Sequence, residues 1–217
     1  MNSKARDKGL EEIYNAVLEG DAEASHQGVQ TALAEGRNPE DILHQSLIPA
    51  MKEVGERFER QEYYVPEMLI AARAMQAALN IIRPLLVISG VKAVGKVALG
   101  TVQGDLHDIG KNLVGMMLEG GGFEVIDMGT DVAPAKFVEV AQDGVDLVAM
   151  SALLTTTMTK MPAVIKALAE AGLRDQVKVM IGGAPVTQEY SRQIGADGYA
   201  PDASQAVALA RALLNLS

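Results

Sequence analysis

From Gly9 to about Val87 the apolar residues return every three or four positions, as in Leu10, Ile13, Tyr14, Val17 and Leu18. That spacing lines one face of an α-helix. Gly20 and the run Gly36-Arg37-Asn38-Pro39 interrupt the rhythm, as helix breakers do. The stretch predicts four helices, over 7–18, 21–35, 39–58 and 65–86, with connections short enough to favour an antiparallel bundle. Asn38 before Pro39 reads as an N-cap and first-turn pair, and Pro66 falls where a first turn tolerates a missing N–H.

After Ser89-Gly90 the pattern changes to short β-rich runs over 96–102, 124–128, 146–150, 178–181 and 198–200, separated by helical stretches. Strands alternating with helices predict an α/β fold: a flavodoxin- or Rossmann-like, five-stranded parallel sheet with helices on both faces. The expected organisation is a helical domain over 1–88, a linker over 89–95 and an α/β domain over 96–217. In such a sheet a ligand sits at the carboxyl ends of the strands, so the loops there are where chemistry is expected.

Composition narrows the classes. Apolar residues make up 48% of the chain and mean hydropathy is +0.11, yet no uninterrupted run reaches the roughly 18 to 20 apolar residues that span a bilayer. No membrane association is expected. The start, MNSKARDKGLEE, is polar and lacks the apolar core of an export signal, so the expected location is cytoplasmic. With no Cys and three His, a metal must find its ligands among imidazoles and carboxylates, which excludes zinc-ribbon, iron–sulfur and thiol-redox chemistry. A net charge of -9 and no Trp argue against a nucleic-acid partner, which would call for basic stripes.

Three strand ends carry candidate motifs. The first strand runs into Gln103-Gly104-Asp105-Leu106-His107-Asp108-Ile109-Gly110, with a helix from about Lys111. Asp105 and His107 could be a satisfied polar pair. Alternatively, Asp105 accepts from one ring nitrogen and leaves the other free and more basic for a metal. The third strand ends in Ser151-Ala152-Leu153-Leu154-Thr155-Thr156-Thr157, where hydroxyls serve a ligand or simply cap a helix. The fourth ends in Gly182-Gly183-Ala184-Pro185, either a tight turn or a place where a flat ligand approaches the backbone.

Order and spacing make the set specific: Asp105-x-His107-x-x-Gly110, forty residues to Ser151-x-Leu153, then twenty-eight to Gly182-Gly183. This resembles the signature of the B12-binding domain of cobalamin-dependent methionine synthase and of the corrinoid proteins of methanol, methylamine and methoxyarene methyltransferase systems. GDLHDIGKNLVGMML matches the most characteristic segment of that family, and MKEVGERFERQEYYVPEMLIAARAM is similar to its helical cap.

The resemblance implies a cobamide, cobalamin or a related corrinoid, bound with its nucleotide tail detached from cobalt. Carried over, His107 becomes the lower axial ligand of cobalt and Asp105 its hydrogen-bond partner. Gly104, Asp108, Ile109, Gly110, Ser151, Leu153, Thr155, Gly182 and Gly183 join the cofactor-binding set. Thr157 stands where methionine synthase has Ser to extend the Asp–His relay. In the cap, Phe58 and Val65, with Met68 one turn on, match positions over the upper face, although ordinary bundle core explains them too.

The implied activity is methyl carriage, the cobalt alternating between methylcob(III)amide and cob(I)amide while His107 leaves and rejoins it. Barrel domains of roughly 200 residues or more usually activate the donor and acceptor, and 217 residues leave no room for them. The expected partners are therefore a substrate-specific methyltransferase, an acceptor methyltransferase using a thiol or a folate, and a reductive activator. Not catalytic alone, the chain would act as the carrier subunit. The alternative is a B12-dependent sensor or regulator, which usually adds a basic DNA-binding domain. A mutase small subunit would lack the bundle, and a receiver domain would need an Asp where Ser151 stands.

Overall fold

The protein is described by a computed structural model over residues 8–216. The polar start through Asp7, first position of the expected first helix, and Ser217 lie outside the described residues. The chain divides into two compact units that meet between Lys92 and Ala93.

The helical unit contains α1 (Lys8–Glu19), α2 (Ala22–Ala34), α3 (Pro39–Ile42), a π-helical segment (Leu43–Leu47), α4 (Ile48–Glu59) and α5 (Val65–Ile88). Caps set the starts: Asp21 Oδ1 accepts from Ala24 N at 2.9 Å and Asn38 Oδ1 from Glu40 N at 3.0 Å, with Pro39 in the first turn. The helix expected over 39–58 is not uniform. Pro49 has no N–H to offer the preceding turn, and that turn widens so that Ile48 N bonds to Leu43 O, a π bulge inside a continuous rod. By length and composition α5 could cross a membrane. However, Met68, Ala71, Met75, Leu79, Ile82 and Leu86 bury one of its faces while Arg73 and Arg83 stay exposed, the pattern of a bundle's core helix.

The second unit alternates β1 (Lys96–Thr101), α6 (Ile109–Gly120), β2 (Glu124–Asp127), α7 (Pro134–Gln142), β3 (Leu147–Ser151), α8 (Thr155–Met158), α9 (Met161–Glu170), β4 (Lys178–Gly182), α10 (Gln188–Ile194), β5 (Gly198–Ala200) and α11 (Ala203–Leu213). All pairings are parallel, in the order β2-β1-β3-β4-β5, the flavodoxin-like arrangement. Alternation of side chains sorts the core into two layers. Ala98, Val148, Val179 and Ile181 pack with Phe137 of α7 and Leu168 of α9, while Val97, Leu99, Ala149 and Met180 pack with Leu118 of α6 and Ala206 of α11.

Several strand ends fall one residue from their expected places: β1 and β2 stop at Thr101 and Asp127, β4 runs to Gly182, and β3 shifts at both ends. Asp146 is not in β3; its carboxylate accepts from Lys96 N at 2.7 Å, and the strand runs one residue further, to Ser151. The register then aligns Thr101, Ser151, Gly182 and Ala200 in one row across β1, β3, β4 and β5. The three motif loops thus leave the sheet side by side. The order reverses between β1 and β3, so their two loops border the crevice where ligands bind in such sheets.

Candidate functional site

The loop after β1 turns at once. Gly104 takes φ +85°, a left-handed conformation that glycine adopts without steric cost, and Asp105 N donates back to Val102 O at 3.1 Å. The turn buries the Asp105 side chain completely while leaving that of His107 53% exposed. Asp105 Oδ1 accepts from His107 N at 3.0 Å and lies 2.9 Å from His107 Nδ1. Its Oδ2 accepts from Leu153 N at 2.8 Å and from the Thr157 hydroxyl at 2.6 Å, both on the loop and short helix that follow β3.

Burial alone would raise the Asp105 pKa. The hydrogen bonds from Thr157, Leu153 N and His107 outweigh it and hold the carboxyl well below the usual carboxylate range, because each favours the charged form. An ionised carboxylate only accepts, so the His107 proton belongs on Nδ1 and the lone pair on Nε2. The arrangement therefore presents a basic nitrogen outward from a half-exposed ring. Thr101 is a part of this support that the sequence reading passed over: its buried hydroxyl donates to His107 O at 2.9 Å. A polar residue within the apolar run KVALGTV was the available signal.

The two loops also carry exposed apolar side chains: Leu106 (74%), Ile109 (73%), Leu153 (41%) and Leu154 (46%). Water-exposed leucines and isoleucine around a basic nitrogen suit a broad, largely apolar ligand with an acceptor at its centre. Among the described residues no three His or carboxylate side chains converge to cage an ion. A metal at His107 would therefore take its other ligands from outside the protein, and the residues present fit a corrinoid.

The remaining expected residues fall as follows. Asp108 stands at the N-cap position of α6 without a side-chain capping bond, and its Oδ2 accepts from Asn112 Nδ2 at 3.2 Å. Gly110 has open space where a Cβ would lie. Ser151 is half-buried at the end of β3 and Thr155 is exposed at the start of α8. Gly182 and Gly183 end and follow β4; a Cβ on Gly183 would stand 1.9 Å from Ala152 O, so packing against the β3 loop already demands that glycine. In the helical unit Phe58 is half-buried, Val65 is 43% exposed and Met68 is wholly buried, so bundle core accounts for Met68.

Two further contacts hold the loop and were not anticipated. Lys111, wholly buried in the first turn of α6, donates to Asp127 Oδ1 at 2.6 Å and to Asn112 Oδ1 at 2.7 Å. Asp131, on the β2–α7 connection, meets Gly104 and Asp105. The turn-forming run Gly129-Thr130-Asp131 marked that connection but not its target.

Known proteins share this fold. A family model described as the B12 binding domain matches residues 95–208, and a second with the same description matches 10–83. The trimethylamine corrinoid protein of Methanosarcina barkeri is 43% identical over 204 residues, 93% of this chain and 94% of that protein. A cobalamin-binding protein of Desulfitobacterium hafniense superposes with a TM-score of 0.77 at 31% identity, covering 94% of this chain and 98% of that one. A chain of the methanol:cobalamin methyltransferase complex of M. barkeri superposes with a TM-score of 0.84 at 29% identity, covering 98% and 81%.

Proposed function

The chain belongs to the B12-binding corrinoid proteins, and we propose that it carries a methyl group on the cobalt of a cobamide from a substrate-specific methyltransferase to an acceptor methyltransferase. The observation behind this reading is the half-exposed His107 imidazole held by a wholly buried carboxylate. When bound, the cobamide supplies a cobalt that takes up and gives back the methyl group.

The protein's own part would be to offer an imidazole nitrogen to the cofactor's metal. Asp105 keeps the proton on Nδ1 and leaves the Nε2 lone pair free, so His107 is the residue that would hold the cobalt. A change in how the Asp105–His107 pair shares its proton would alter how firmly the imidazole could hold a metal. Thr157 and Leu153 N stabilise the carboxylate charge. Gly104, Asp108, Ile109, Gly110, Ser151, Leu153, Thr155, Gly182 and Gly183 would hold the corrin face and the nucleotide tail. With the helical unit taken as 1–88 and 89–95 as its linker, Phe58 and Val65 are the residues the family resemblance would assign to the cofactor's upper face, Met68 being bundle core.

The related proteins bear on the donor. One is a trimethylamine corrinoid protein and another belongs to a methanol:cobalamin methyltransferase complex, so a methylated amine or methanol is the donor class we assign. A thiol or a folate takes the methyl group on a second enzyme, a reductive activator restores oxidised cobalt, and the system works in the cytoplasm. The test loads the full chain with hydroxocobalamin, reduces it with titanium(III) citrate, and offers labelled methanol or methylamines with and without the matching methyltransferases. Label on the chain with one such enzyme, and none without it, supports the carrier. No label with any of them, on a chain that has retained its cobamide, overturns it.

A further inference from the structure

We propose that Asp131 is a positioning residue for His107, clamping the backbone that carries Asp105; the inference rests on His107 being the axial ligand. Asp131 has φ +54°, a left-handed conformation that few residues other than glycine, asparagine and aspartate adopt at low cost. Its N–H donates to Asp105 O at 2.9 Å, and its Oδ1 accepts from Gly104 N at 2.7 Å. One residue therefore grips the dipeptide Gly104-Asp105 at both ends. The side chain is exposed, so core packing does not explain its conformation.

The contacts on either side continue the alignment. Val132 N donates to Thr101 O at 2.9 Å, Thr101 N to Gly129 O at 3.0 Å, and Val102 pairs with Val132. The β2–α7 connection thus lies along the end of β1 in register. Asp105 is held from two sides: its backbone by Asp131 from the β2 side, its carboxylate by Leu153 and Thr157 from the β3 side. The carboxylate can rotate and shift with the loop unless the backbone under it is fixed. Its 2.9 Å contact with His107 Nδ1 depends on that fixing.

The variants separate conformation from clamp. Asp131→Gly keeps the left-handed backbone and removes the side-chain acceptor, whereas Asp131→Asn keeps both. The full chain and each variant are loaded with methylcobalamin, and the His-on to His-off ratio is read from the visible spectrum over a range of temperatures. His107→Ala supplies the His-off reference. A hydrogen bond of ordinary strength predicts a His-on to His-off ratio roughly two- to ten-fold lower in Asp131→Gly, with Asp131→Asn matching wild type. An unchanged ratio in Asp131→Gly, or an equal fall in both variants, overturns the clamp. Wild type indistinguishable from His107→Ala would instead remove the axial-ligand reading on which it stands. Amide exchange in wild type decides without a variant: a protected Gly104 N–H is expected, and exchange at the rate of an unstructured chain contradicts the clamp.

Discussion

The Thr157 hydroxyl donates to Asp105 Oδ2 at 2.6 Å, the oxygen opposite the one that meets His107. The methyl group of Thr157 points towards Gly104, where its Cγ2 would lie 3.8 Å from an added Cβ, so a threonine fits where a serine would also serve. Thr157→Ser should leave stability and cobamide retention unchanged. Thr157→Val deprives a buried carboxylate of a donor and should cost about 1.5 to 3 kcal/mol, read by urea denaturation of the apo-protein. A valine variant as stable as wild type would show that Leu153 N and His107 satisfy Asp105 by themselves.

Asp127 gives a pH signature of its own. Burial pushes its pKa up, but the hydrogen bond from buried Lys111, helped by Gly129 N and the Lys111 charge, lowers it overall. An unfolded aspartate takes up its proton near about pH 3.9. The paired carboxylate therefore adds stability above that value, and the addition fades as pH falls through the lower folded pKa. Asp127 is 55% exposed, so solvent screening keeps the charge effect small and Asp127→Asn should cost about 1 kcal/mol at pH 7. The gap between variant and wild type should shrink below about pH 4. A gap that stays constant down to acid pH would mean that the charge on Asp127 contributes nothing.

Two glycines should respond oppositely to alanine. Gly183 has φ +120° and no room beside Ala152 O, so Gly183→Ala should cost about 3 kcal/mol or more in the apo-protein. Gly110 lies exposed in the first turn of α6 with open space around its Cα, and Gly110→Ala should stabilise the apo-protein by about 0.5 to 1 kcal/mol. Retention of cobamide should nevertheless weaken if the open space beside Gly110 receives the cofactor. Calorimetry of both apo-variants and gel filtration after loading check the pair; Gly110→Ala that binds as wild type removes that residue from the site.

Much of this was legible because a parallel α/β sheet gathers its strand ends in one row. The Asp105, Ser151 and Gly182 motifs stand far apart in the sequence, and the register of β1, β3 and β4 brings them together. Periodicity could not resolve what depends on single long-range contacts. Asp146 reads as strand until its carboxylate is seen to cap Lys96 N. Pro49 falls inside the helix expected over 39–58, and only the structure shows the π bulge that accommodates it. Met68 has the same apolar spacing as its exposed neighbour Ile70, and only burial tells them apart. Asp131 and Thr101 act on residues brought near by the fold, so their local sequence announces a turn and a strand and nothing more.

The most direct measurement is the visible spectrum of the full chain refolded with methylcobalamin, freed of excess by gel filtration, beside His107→Ala treated identically. The account predicts one equivalent of corrinoid retained by wild type, with the nucleotide base off cobalt and a histidine in its place, and loss of that histidine signature in the variant. A wild-type chain that retains no corrinoid, or a variant with an unchanged spectrum, would contradict it.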